Sequence, residues 1–126
     1  MNNKNKRPVY LNLFQIRLPV AGVVSILHRI TGVVMVISLP LSLYALQQSL
    51  ASADEYAAVT GYLSLPGVHV LLMVLAVALA LHFLAGVRHL LLDIDVGVTR
   101  RVARWSAWAV LAGTGLTALV FGMRWL

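Results

Sequence analysis

The sequence predicts an all-α integral membrane protein with three transmembrane helices. Of the 126 residues, 60% are hydrophobic and only 11% are charged, whereas a soluble domain usually carries about 25% charged residues. Three apolar stretches cover about residues 20–46, 68–92 and 102–123. Each exceeds the roughly 20 residues that are needed to cross a bilayer. The absence of cysteine excludes thiolate metal sites and iron–sulfur ligation by this chain.

The first stretch follows a polar arm over residues 1–19 and contains His28 and Arg29. The core of a cleaved signal peptide would not tolerate those residues, so we interpret the stretch as a permanent span. The second span carries a stripe of polar residues toward its end. The third has tryptophans toward its ends, where amphipathic rings favour the membrane interface, namely Trp105, Trp108 and Trp125.

Basic residues are distributed unequally between the two predicted sides. The arm and the 93–104 connection together hold Lys4, Lys6, Arg7, Arg17, Arg100, Arg101 and Arg104. The 47–67 connection has no Lys or Arg, and the C-terminal end has only Arg124. The positive-inside rule therefore predicts a cytoplasmic arm, with the N-terminus inside and the C-terminus outside. Because these cations flank apolar stretches, the net charge of +6 does not indicate a nucleic-acid surface.

A first polar cluster lies near the start of span one. Ser25, His28, Arg29 and Gly32 have offsets of 0, 3, 4 and 7, which place them on one helix face. One interpretation is that Arg29 snorkels to the headgroups beside a hydrogen-bonded histidine. The convergence of four such residues favours a polar ligand pocket instead. A quinone suits this pocket, because its carbonyls need donors while its ring and tail need apolar walls.

A second cluster forms a stripe on span two, where His82, Gly86, His89 and Asp93 have offsets of 0, 4, 7 and 11. His82 lies near the bilayer midplane, about 16 Å from Asp93 along the axis. An imidazole there could be a proton relay, a hydrogen-bonded structural histidine or a haem axial ligand. Gly86 would leave room for a flat macrocycle, and His89 with Arg88 could reach haem propionates.

Two segments resemble the signatures of a known family. Residues 25–32, SILHRITG, resemble the S-x-x-H-R-x-[ST]-G signature of the cytochrome b556 membrane-anchor subunits of succinate dehydrogenase. Residues 82–93, HFLAGVRHLLLD, resemble the second signature of that family, H-x-x-x-G-x-R-H-x-x-x-D. The basic arm, the three spans and the order of the two motifs extend the resemblance over nearly the whole chain.

The resemblance implies a single membrane-anchor domain over residues 1–126, paired with a second small three-helix anchor subunit. A flavoprotein and an iron–sulfur subunit would dock on the cytoplasmic side, with membrane lipid around the spans. A b-type haem would lie between the anchors, with His82 as the axial ligand from this chain. Arg88 and His89 would lie near the propionates. Ser25 and Arg29 would line a ubiquinone site, with His28 beside it.

The function that this resemblance implies is that of a non-catalytic haem b anchor of a succinate–ubiquinone oxidoreductase in the bacterial cytoplasmic (inner) membrane. An anchor of a quinol–fumarate reductase is the nearest alternative, since sequence does not set the direction of electron flow. A cofactor-free membrane scaffold is an alternative of a different class. A proton-coupled transporter is disfavoured, because no acidic residue lies deep in any span.

Overall fold

The computed structural model describes residues 18–125, apart from the side chain of Trp125. Four helices follow one another over this range, as α1 (Val20–Ser49), α2 (Ala53–Leu63), α3 (Pro66–Asp93) and α4 (Arg100–Trp125). Residues 1–17, which make up most of the predicted arm, lie outside the described residues, as does the Trp125 ring.

Three of the four helices, α1, α3 and α4, are long and apolar enough to cross a membrane. They contain 30, 28 and 26 residues. At 1.5 Å per residue each is about 40 Å long or more, which exceeds a hydrocarbon core of about 30 Å. The three predicted spans are therefore confirmed as helices. Each extends a few residues beyond its apolar stretch, and α1 continues through Pro40.

The 47–67 segment, which we expected to be a plain connection, contains the short helix α2. Its N-terminus is capped by Ser52, whose side chain accepts a hydrogen bond of 3.1 Å from the backbone N–H of Glu55. Asp54 and Glu55 in the first turn complement the positive end of the helix dipole. With 11 residues and a length of about 16 Å, α2 is too short to cross a bilayer.

The buried core lies where α3 packs against both α1 and α4. It consists of small and medium side chains, namely Val24, Leu81, Ala85, Ala107 and Val110. Ala85 and Ala107 are fully buried, and such small residues let membrane helices approach closely. Gly113 extends this packing, because a Cβ atom there would lie 2.9 Å from Leu84 Cδ1.

The connection between α3 and α4 turns through two residues with left-handed backbone conformations. Asp95 has φ of 61° and Gly97 has φ of 80°. Glycine adopts this region without the steric cost that a Cβ atom brings. A side chain at Gly97 would also approach Val102 Cγ1 to 3.2 Å. This short turn places the start of α4 beside the end of α3.

Candidate functional site

The structure brings the histidines of the two predicted clusters together across the interface between α1 and α3. The rings of His28 and His82 are stacked, with centroids 4.3 Å apart and planes 15° from parallel. The ring of His89 lies 5.2 Å from that of His28, tilted by 47°. Polar groups that the sequence assigns to two separate spans therefore form one cluster of three imidazoles.

Two glycines allow this approach, one on each helix. A Cβ atom at Gly32 would lie 3.1 Å from His82 Cε1, and one at Gly86 would lie 3.4 Å from His28 Nε2. Each glycine thus opens space for the histidine of the opposite helix. We expected the space at Gly86 to receive a flat macrocycle, whereas in this structure the imidazole of His28 lies against it.

The hydrogen bonds of His82 determine which of its ring nitrogens carries the proton. Nδ1 lies 3.1 Å from the carbonyl oxygen of His28 and 3.4 Å from the hydroxyl oxygen of Thr31. A carbonyl oxygen can only accept, so Nδ1 is the nitrogen that donates, and a neutral ring with this hydrogen bond has its lone pair on Nε2. No side chain or carbonyl within residues 18–125 hydrogen-bonds to that Nε2.

His82 and Arg29 line the same open groove, which has a volume of about 570 Å³. The other lining residues are Gly32 and apolar side chains, namely Val33, Met35, Val36 and Ile37. Arg29 is exposed, and Ser25 is half-buried one turn away, outside the lining of the groove. Within the described range neither side chain has a hydrogen-bonding partner.

Arg88 points toward α4 and away from the cluster of three histidines. Its side chain is only 6% exposed and donates from Nε to Ser106 Oγ and from Nη2 to the carbonyl oxygen of Ala103, each at 3.1 Å. Both acceptors belong to α4. The structure therefore brings His89 to the imidazole cluster but not the guanidinium of its neighbour Arg88.

Sequence reasoning gave no role to two side chains of this region, Thr31 and Ser106. Thr31 lies within the first motif, at the position where the signature has Ser or Thr. The motif therefore includes this residue but does not indicate what its side chain does. No spacing pattern marks Ser106, whose importance follows only from its contact with Arg88.

Comparison with known proteins identifies the family. The model of the succinate dehydrogenase/fumarate reductase transmembrane subunit family matches residues 3–121. The chain belongs to this family. A relative in this family from Coxiella burnetii (strain RSA 493 / Nine Mile phase I) is named succinate dehydrogenase cytochrome b556 subunit. It is 31% identical over 122 residues, which cover 96% of this chain and 97% of the relative.

A second family member with the same name, from Paracoccus denitrificans, is 31% identical over 118 residues, covering 94% of this chain and 91% of that protein. Membership in the succinate dehydrogenase/fumarate reductase transmembrane subunit family confirms the resemblance that the two motifs indicated. The membrane character of the family agrees with the three long apolar helices.

Proposed function

We propose that this chain is the haem b-binding membrane anchor of a succinate–ubiquinone oxidoreductase. The observation that carries the proposal is the hydrogen bonding of His82, whose Nδ1 lies 3.1 Å from the carbonyl oxygen of His28 and 3.4 Å from the hydroxyl oxygen of Thr31, while no described residue bonds to Nε2. Metal-bound histidines commonly bond their other ring nitrogen to a carbonyl or carboxylate in this way. Both relatives are named cytochrome b556 subunits, which supports the proposal that this chain binds haem b.

His82 fits the role of one axial ligand, because a neutral imidazole presents a lone pair to iron. When bound, haem b would supply one-electron transfer. His28 stacks on the ring of His82 and limits the orientations that this ring can take. His89, whose ring lies 5.2 Å from that of His28, would donate to a propionate. Two of the five N–H donors of Arg88 bond to α4, so a propionate would have to use the remaining three.

A second anchor subunit would cover the groove beside His82. The groove is open on the side of α1, where Val33, Val36 and Ile37 are 60%, 72% and 62% exposed. In this proposal the partner supplies the second axial histidine, so that the cofactor is held between two chains. The groove is open and its apolar wall is exposed when this chain is alone, which supports this arrangement.

Ser25 and Arg29 would donate hydrogen bonds to the carbonyl oxygens of ubiquinone. They lie one turn apart on α1, and no described residue occupies their donors. With the N-terminus inside, they lie near the cytoplasmic interface, where the iron–sulfur subunit would deliver electrons. The flavoprotein would carry out succinate oxidation, so this chain contributes anchoring, binding and electrostatics rather than catalysis.

The second candidate function is the anchor of a quinol–fumarate reductase. The description of the family covers both succinate dehydrogenase and fumarate reductase subunits. The two functions use the same anchoring and quinone-binding groups of this chain. Measuring succinate oxidation by quinone and fumarate reduction by quinol on the purified complex separates them.

Purification of the tagged chain in mild detergent tests the proposal. Mass spectrometry should identify a second anchor, an iron–sulfur subunit and a flavoprotein, and a reduced-minus-oxidised spectrum should show a low-spin b-type signal. His82→Leu should abolish this signal, because the iron loses one of its two axial bonds. His69→Leu is the control on the same helix, about 20 Å away along the axis, and should preserve the spectrum. An unchanged signal in His82→Leu, or no b-type signal in the wild type, would refute the haem role.

A further inference from the structure

Three features of α1 hold the imidazole of His82, and we call them the α1 seat. The carbonyl oxygen of His28 lies 3.1 Å from Nδ1, and the hydroxyl oxygen of Thr31 lies 3.4 Å from it. The third feature is Gly32, where a Cβ atom would approach Cε1 to 3.1 Å and Nδ1 to 3.6 Å. The two oxygens act on Nδ1, and Gly32 lies against the edge of the ring that Nδ1 and Cε1 form.

We propose that Thr31 is a positioning residue for His82, which it orients toward the haem iron by accepting from Nδ1–H together with the carbonyl of His28. This inference rests on the proposed function, since it assumes that His82 is the axial ligand. It assigns a role to a side chain that would not itself touch the cofactor.

The hydrogen-bonding capacity of Thr31 matches this role. A hydroxyl has one proton and two lone pairs. The Oγ1 of Thr31 lies 2.9 Å from the carbonyl oxygen of Leu27 and 3.0 Å from that of His28. When the proton goes to Leu27, a lone pair is left for Nδ1–H of His82. The side chain is only 8% exposed, so water does not readily replace it as the acceptor.

An acceptor on Nδ1–H has two effects on a metal-bound histidine. It fixes the tautomer and the direction of the ring, and it makes the opposite nitrogen a stronger electron donor. Stronger donation stabilises ferric over ferrous iron and lowers the midpoint potential. The outer bond is thus one of the means by which a protein sets a haem potential. Loss of the Thr31 hydroxyl should therefore raise that potential.

The decisive variant is Thr31→Val, which removes the hydroxyl while keeping the branched shape. Thr31→Ser keeps the hydroxyl and should restore wild-type behaviour, and Thr31→Ala is a second deletion without a branched side chain. Thr114→Val is the matched control. Thr114 is also 8% exposed and bonds to a carbonyl four residues earlier, that of Val110 at 2.9 Å, with no histidine beside it.

All variants should be purified as the complete complex, and the haem midpoint potential and haem content should be measured. We expect Thr31→Val and Thr31→Ala to raise the midpoint potential. We expect haem retention about 10-fold weaker, the lower end of the 10- to 100-fold range for such outer partners, because the carbonyl of His28 remains. Thr31→Ser and Thr114→Val should match the wild type.

An unchanged or lowered potential in both deletions would overturn the role of Thr31, and so would an equal rise in Thr114→Val. This failure is distinguishable from failure of the proposed function. If His82→Leu loses the b-type signal while the Thr31 deletions leave the potential unchanged, only the positioning role is refuted. If His82→Leu retains the signal, the axial role itself is wrong.

Discussion

The proposed quinone-binding role of Ser25 and Arg29 makes a quantitative prediction. Neither side chain has a hydrogen-bonding partner among residues 18–125, and Arg29 is exposed. Truncating either one therefore removes no bond that the described part of the chain makes to itself. In this proposal the loss of quinone reduction comes from the hydrogen bonds to the ligand. A hydrogen bond from a charged donor contributes roughly 1.5–3 kcal/mol, whereas a neutral hydroxyl contributes about 0.5–1.5 kcal/mol.

These energies convert directly into expected rates. Arg29→Leu should lower quinone reduction by about 10- to 150-fold, and Ser25→Ala by about 2- to 10-fold. The assay is succinate-dependent reduction of a short-chain ubiquinone by the purified complex. Electron transfer to an artificial acceptor that takes electrons upstream of the quinone should persist, and the haem spectrum should be unchanged. Ser42→Ala is the matched control, because Ser42 lies on α1 but bonds back to the carbonyl of Ser38 at 2.9 Å.

Two results would refute this reasoning. Near-normal quinone reduction in both Ser25→Ala and Arg29→Leu, in complexes that assemble, would mean that the quinone binds elsewhere. Full activity in Arg29→Lys would favour an arginine that only snorkels to the headgroups, because any long cation can do this. A quinone site that uses the geometry of the guanidinium should not tolerate lysine fully.

Three further predictions concern orientation and stability. A reporter that is active only outside the cytoplasm should work when fused after the last residue and fail when inserted within residues 94–99; the reverse result would invert the topology. Gly97→Ala should destabilise the complex by about 1–2 kcal/mol, because the backbone of Gly97 is left-handed. Gly61→Ala is the control and should not lower the melting temperature, because a Cβ atom there has no neighbour within 4 Å. Equal melting temperatures for the two variants would contradict this prediction. Ser106→Ala should lower the stability of the complex by about 1.5–3 kcal/mol, because Nε of the buried Arg88 loses its acceptor. An unchanged melting temperature would show that this hydrogen bond contributes little.

The sequence by itself determined the three spans and the family. A transmembrane helix can be predicted from an apolar stretch of 20 or more residues without knowing what packs against it. The thickness of the bilayer sets the length, and the absence of water in its core requires helical hydrogen bonding. Each of the two motifs is a short continuous segment, so residues 25–32 and 82–93 could be recognised without a structure. Helix α2 was missed, because a short capped helix has no apolar periodicity long enough to separate it from a loop.

Only the tertiary structure decided which helix each polar residue of the spans faces. Sequence offsets of 7 and 1 place His82, His89 and Arg88 within about two turns of α3, but they do not say which neighbour each will meet. The packing of α3 between α1 and α4 turns the two histidines toward α1 and directs Arg88 into α4. The contact of Thr31 with His82 spans 51 positions of sequence. It exists because Gly32 lets the two helices approach, a geometric condition that no single helix contains.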